Sequence, residues 1–202
     1  MKKKFVVAAV VIVVVMGLFW AVFLGMILFY HNEKSTDDIH YYRAISGETE
    51  GEKSLRLLGE AYDVPCDIDL PKMDELMPYT SYRFDHTVVA YSMFSSYSYS
   101  LIVNYEAQNY AEKKAWLMNT YPTWEASIPG ENGFLEAEFT LDGFSFRLID
   151  DGYCPKSMMF VGTCDARQEI AIIYFYDIDL DYISPSMQEF LSQDTGWKNV
   201  IH

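Results

Sequence analysis

The stretch that decides the fold is Phe134–Asp150, FLEAEFTLDGFSFRLID. Asp142-Gly143 is a strong two-residue turn signal, because both central positions of such a turn need positive φ. Folding there sets Leu141 against Phe144, Phe139 against Phe146 and Ala137 against Leu148 on one face. The other face sets Thr140 against Ser145 and Glu138 against Arg147. One register therefore matches apolar to apolar and opposite charge to opposite charge, and a slip of one residue destroys both matches. The sequence predicts a β-hairpin here.

Strands continue on both sides of it. Met158–Thr163 and Glu169–Asp177 flank a turn at residues 164–168. Ile170 to Tyr176 is apolar at every position, which suits a strand covered on both faces. Upstream, Arg83 to Glu106 reads as two strands. In the second, Tyr97, Tyr99 and Leu101 alternate with Ser96, Ser98 and Ser100, and the serines are expected on the solvent face. Ala107 to Tyr121 carries an apolar stripe at helical spacing and stops at Pro122. Shorter helices are expected at Lys53–Tyr62 and Pro71–Met77. A last helix is expected from Ser186, with Gly196 ending it. Hairpin-linked strands with few crossovers indicate an α+β fold, an antiparallel sheet packed by helices.

The N-terminus is of another kind. Phe5 to Tyr30 runs 26 residues without a charge or a proline, about 39 Å as a helix against a hydrocarbon core of about 30 Å. Lys2, Lys3 and Lys4 precede it and His31-Asn32-Glu33 follows. The positive-inside rule then makes residues 1–4 a cytoplasmic tail and 5–30 a transmembrane helix. Residues 31–51 read as an acidic juxtamembrane linker, and 52–202 as an extracytoplasmic domain. The apolar run is too long for a cleaved signal peptide and lacks small residues at a cleavage site. The implied location is the cell membrane, with the lipid bilayer as first partner. Gly17, Ala21 and Gly25 share one helix face, where small residues let a second helix approach and self-associate.

Charge narrows the partners. The chain holds 29 acidic and 15 basic residues. Without the three N-terminal lysines the balance is −17, a surface that repels nucleic acid and anionic headgroups. Aromatics form 16% of the chain, too many for a disordered stalk.

Catalytic signatures are sparse. The four histidines are scattered, and no zinc-protease, serine-hydrolase, P-loop or dinucleotide motif is present. Phe160-Val-Gly-Thr-Cys164-Asp-Ala-Arg167 places Thr-Cys at the end of a strand with an arginine close behind. Over these few residues the chain resembles the sortase family of anchored extracytoplasmic transpeptidases. That resemblance implies Cys164 as nucleophile, His86 as acid/base and Arg167 as oxyanion stabiliser. His86 lacks the family's preceding glycine, and Arg167 follows the cysteine too soon. A disulfide is also open among Cys66, Cys154 and Cys164, with no pair fixed by spacing. Asp177, Asp179 and Asp181 alternate and could present carboxylates to calcium, although the EF-hand loop pattern fails. No cofactor is implied. The leading expectation is a non-catalytic interaction or regulatory module for a membrane or envelope protein. The alternatives are a cysteine-dependent enzyme and a binder of calcium, cationic peptide or glycan.

Overall fold

In the computed structural model, the described residues are 2–29, 31–48, 56–57, 60–61, 70–91, 94–123, 137–149, 156–177, 191–192 and 195–201. Helix α1 spans Lys2–Phe29, strand β1 His31–Thr36 and helix α2 Ile39–Ile45. A small antiparallel pair, β2 (Arg56–Leu57) and β3 (Glu60–Ala61), and helix α3 (Met73–Leu76) follow. The main body is β4 (Ser81–Tyr91), β5 (Phe94–Asn104), helix α4 (Ala107–Thr120), β6 (Glu138–Leu141), β7 (Phe144–Ile149), β8 (Ser157–Cys164) and β9 (Glu169–Asp177). A short helix, α5 (Trp197–Val200), lies near the C-terminus.

The α+β class holds. Seven strands form one antiparallel sheet in the order β1-β4-β5-β9-β8-β7-β6. The hairpin pairs Glu138 with Arg147, Phe139 with Phe146, Thr140 with Ser145 and Leu141 with Phe144, as the side-chain pattern required. Asp142 and Gly143 have φ of 52° and 82°, the two left-handed positions of a type I′ turn. Strand β9 is central, and its first seven residues are buried.

Each face of the sheet carries its own core. One face packs Phe84, Tyr99, Leu101, Ile172, Tyr174 and their neighbours beneath α2, α3 and α4. The other packs Phe144, Phe146, Phe160, Ile173 and Phe175 against Leu191, Trp197 and Val200. This second cover explains a correction. Ser96, Ser98 and Ser100 do not face solvent; all three are buried. Alternation placed them correctly on one side of β5, but the C-terminal segment lies over that side. Gly196 Nα donates to Ser98 Oγ at 2.8 Å.

Three further expectations change. The supposed linker 31–51 contains β1, paired with β4 over six residues, and α2, capped by the Asp38 carboxylate. Its polar residues suit an edge strand: Glu33, Lys34 and Ser35 are exposed and Thr36 is half-buried. The stretch 53–62 contains the β2 and β3 strands where a helix was expected. Gly196 starts α5 and does not end a helix; the Ser186 helix start lies outside the described residues.

Among the described residues, no helix is long and apolar enough to cross a membrane. The side chains described on α1 run from residue 11 to 25, about 22 Å of helix. Those large apolar side chains are exposed from Val11 to Leu24.

Gly196 sits where a side chain has no room. A Cβ built there would lie 2.0 Å from Asp85 Oδ1 and 2.9 Å from Thr87 Oγ1. Gly196→Ala should therefore lift the C-terminal segment off the sheet and cost about 2–3 kcal/mol in chemical denaturation. Gly17→Ala, with nothing within 4 Å, serves as the clash-free control and should not destabilise, since alanine is the better helix former. Equal midpoints for the two variants would refute the close approach.

Candidate functional site

Of the expected catalytic set, Cys164 and Arg167 both lie beside Gly143 in the hairpin turn, but His86 is not brought to them. Cys164 ends β8 on the face of Phe144 and Trp197, whereas His86 stacks on Tyr99 and Tyr41 on the opposite face. Strands β9 and β5 separate β8 from β4. Cys164 registers with Glu169, Glu169 with Asn104 and Asn104 with Ser81, five residues from His86. Cys164 and His86 therefore lie about 20 Å apart on opposite sides of the sheet, and no proton can pass directly between them. Cys164 is a buried free thiol, so it forms no disulfide; Cys66 and Cys154 lie outside the described residues.

Arg167 has a structural position. Its Nε donates to Glu169 Oε2 at 2.7 Å, its Nη2 donates to the Asp142 carbonyl at 2.9 Å, and its guanidinium lies 4.8 Å over the Phe144 ring. Glu169 Oε1 accepts from Arg83 Nη2 at 2.9 Å, and Arg83 Nε donates to the Val200 carbonyl at 2.6 Å. Trp197 Nε1 closes the set on Asp142 Oδ2 at 2.7 Å. Burial alone would raise the Glu169 pKa, but hydrogen bonds from Arg167 and Arg83 outweigh it and hold the carboxyl below its usual value. This is a clasp joining the hairpin turn, the β8–β9 turn and the C-terminus. Sequence reading missed it because its members are scattered from residue 83 to 200.

Asp177 ends β9 and donates its Nα to the Lys156 carbonyl; Asp179 and Asp181 lie outside the described residues. No metal-binding group of His, Cys, Asp or Glu occurs among the described residues. Gly17 and Gly25 have open space at their Cβ positions.

His86 is 1% exposed, and neither ring nitrogen has a hydrogen-bond partner among the described residues. Burial lowers its pKa to about 4, so the ring is a neutral packing element at physiological pH. Next to it on the other face, burial raises the Asp85 pKa against the hydrogen bonds from Thr87 and Asn199.

A concave feature lies elsewhere, between α4 and the β6–β7 hairpin. It encloses about 590 Å³. Thr140, Ser145 and Arg147 form its floor and Lys114 and Met118 its α4 wall, with Asp165 at the β8–β9 turn. Its charges are paired internally. Lys114 Nζ meets Asp165 Oδ1 at 2.5 Å, and Arg147 Nε meets Glu138 Oε1 at 3.4 Å. Tyr110 Oη and Thr123 Oγ1 donate to the same two carboxylates, at 2.6 and 2.9 Å. The groove offers hydrogen bonds and charge.

No protein-family model, curated protein or solved structure matches this chain. The function must therefore be argued from the geometry.

Two outcomes follow. Above about pH 6.5 His86 is neutral folded or unfolded. As pH falls from there toward 4 the unfolded chain takes up a proton that the fold resists, so stability drops by up to about 3 kcal/mol. Asp85 has the opposite trend, so the test is the difference between wild type and His86→Phe: the variant should lack the loss in that window, and parallel pH curves would refute it. Glu169→Gln should cost about 2 kcal/mol by leaving two guanidiniums without their shared anion. It should also remove the stability that wild type loses as pH falls below the normal glutamate range; denaturant midpoints across pH check both.

Proposed function

We propose that this chain is a single-pass membrane protein whose outer domain is a non-catalytic interaction or regulatory module for another membrane or envelope protein. Residues 1–4 lie in the cytoplasm, residues 5–30 cross the bilayer and the α+β domain stands outside. The observation that carries this reading is the surface of α1. Val13 and Phe19 are 69% and 68% exposed, Trp20 is 54% exposed, and every large apolar side chain between Val11 and Leu24 is open. A contiguous apolar surface of this extent requires lipid or protein around it. The helix is 28 residues long, about 42 Å, and the lysines at its start oppose translocation of the N-terminus.

The domain supports a binding role. Arg83, Glu169 and Arg167 are paired in the clasp, and Lys114 with Asp165 and Arg147 with Glu138 in the groove. The separation of Cys164 from His86 removes the geometric basis of a Cys164–His86 catalytic pair.

Membrane fractionation tests the proposal. The full chain should stay in the pellet through alkaline carbonate extraction, and protease added to intact cells should digest the domain. Release by carbonate would refute the anchor. Digestion only after lysis would refute the orientation.

A further inference from the structure

His86 lies at the joint between β1 and α2. Its register partner Thr36 is the last residue of β1, and α2 begins at Ile39. The imidazole sits between two rings. Tyr41 of α2 lies 5.2 Å from it and Tyr99 of β5 lies 4.4 Å from it, centroid to centroid. Both ring nitrogens are buried without a hydrogen-bond partner among the described residues. A phenyl ring would fill this space without that polar cost, so packing does not account for the imidazole.

No described carboxylate on this side of the sheet can neutralise a charged ring. Strand alternation puts Lys34 and Thr36 of β1, Phe84 and Val88 of β4, and Tyr97 and Tyr99 of β5 on the side of His86. Tyr174 of β9 stands behind Tyr99. Helix α2, IHYYRAI, has no acid and adds His40, Tyr41, Tyr42 and Arg43. Two carboxylates precede it. Asp38 accepts from the His40 N–H at 3.0 Å, and Asp37 is felt by Asp85 on the far side of β4. Burial is the sole cause that lowers the His86 pKa.

Two ring contacts join α2 to β4: Tyr41 on His86, and Tyr42 edge-on to Phe84 at 5.7 Å. The Tyr42 side is tethered further, since its Oη donates to the Pro71 carbonyl at 2.6 Å and Arg43 pairs with Glu48 at 3.0 Å. The side that His86 controls is the one next to β1.

We propose that this stack is an acid-sensitive catch: protonation of His86 expels the ring from between Tyr41 and Tyr99 and opens the joint from Thr36 to Tyr41, while the rest of the sheet stays paired. Helix α1 and β1 precede the joint directly, so opening it loosens the segment next to the apolar helix. The inference goes beyond the interaction module proposed above and does not depend on where α1 resides. The closed joint favours the neutral ring, with a pKa lowered to about 4 against an ordinary value near 6.5. Opening therefore takes up a proton, grows as pH falls below about 6.5 and levels off below about 4. Between about pH 7 and pH 5 the open population should rise about twentyfold.

Hydrogen exchange of the full chain in detergent micelles, corrected for the intrinsic pH dependence of exchange, reads the change by segment. Peptides spanning residues 36–42 should lose protection by about that factor at the lower pH, whereas β8 and β9 keep theirs. His86→Phe keeps a ring in the stack and cannot take up a proton, so its joint should be equally protected at both pH values. If that variant does not fold, the wild-type imidazole followed by NMR carries the test, since it must titrate well below the ordinary histidine range. Acid opening that persists in His86→Phe would overturn the proposal. So would a loss of protection shared equally by β8 and β9, an unchanged joint in the wild type, or an imidazole that titrates normally while the joint stays protected.

Discussion

Glu169 is a buried carboxylate held between two guanidiniums, and the arrangement of the domain depends on it. Arg83 reaches it from β4 and Arg167 from the β8–β9 turn. The same two arginines hold the Val200 and Asp142 carbonyls. One anion thus ties together a strand of the sheet centre, the hairpin turn and the chain's last helix. A carboxylate with 4% of its side chain exposed would be costly alone. Two charge-assisted partners offset that cost and fix the directions of the segments that supply them.

The clasp explains why the sheet is covered on both faces. Trp197, anchored on Asp142, packs edge-on against Phe144 and Phe146. Gly196 then lies directly on Asp85 and Thr87, and Asn199 Nδ2 donates to the Asp85 carboxylate at 3.1 Å. A strip of β4 and β5 rich in hydroxyl and carboxyl groups is thereby closed off from water. The cover is imperfect in polar terms: the Ser96 and Ser100 hydroxyls find no partner. Such buried polar groups cost stability, and the aromatic core on the same face compensates for it.

The groove and strand β6 lie at the opposite side of the sheet from β1, which follows directly on α1. The chain enters the sheet through β1, so one edge is occupied by the segment nearest the proposed membrane helix.

The sequence by itself determined what depends on neighbours a few residues apart. Asp142-Gly143 and the alternation around it specified the hairpin and its register, because a turn and a two-residue period are local properties. The apolar run of β9 specified a central strand for the same reason, and α4 could be read from its stripe and from Pro122. Tertiary structure decided what depends on distant segments. Ser98 was assigned to the correct side of β5, but whether that side meets water depended on Gly196, 98 residues away. His86 and Cys164 looked like a catalytic pair in one dimension. Pairing order placed β5 and β9 between them, and strand alternation turned them to opposite faces. Residues 31–36 read as a linker, since an edge strand shows half its side chains to solvent and only its partner β4 reveals it. Local chemistry fixes turns and periods, whereas burial and proximity are set by which segments pack together.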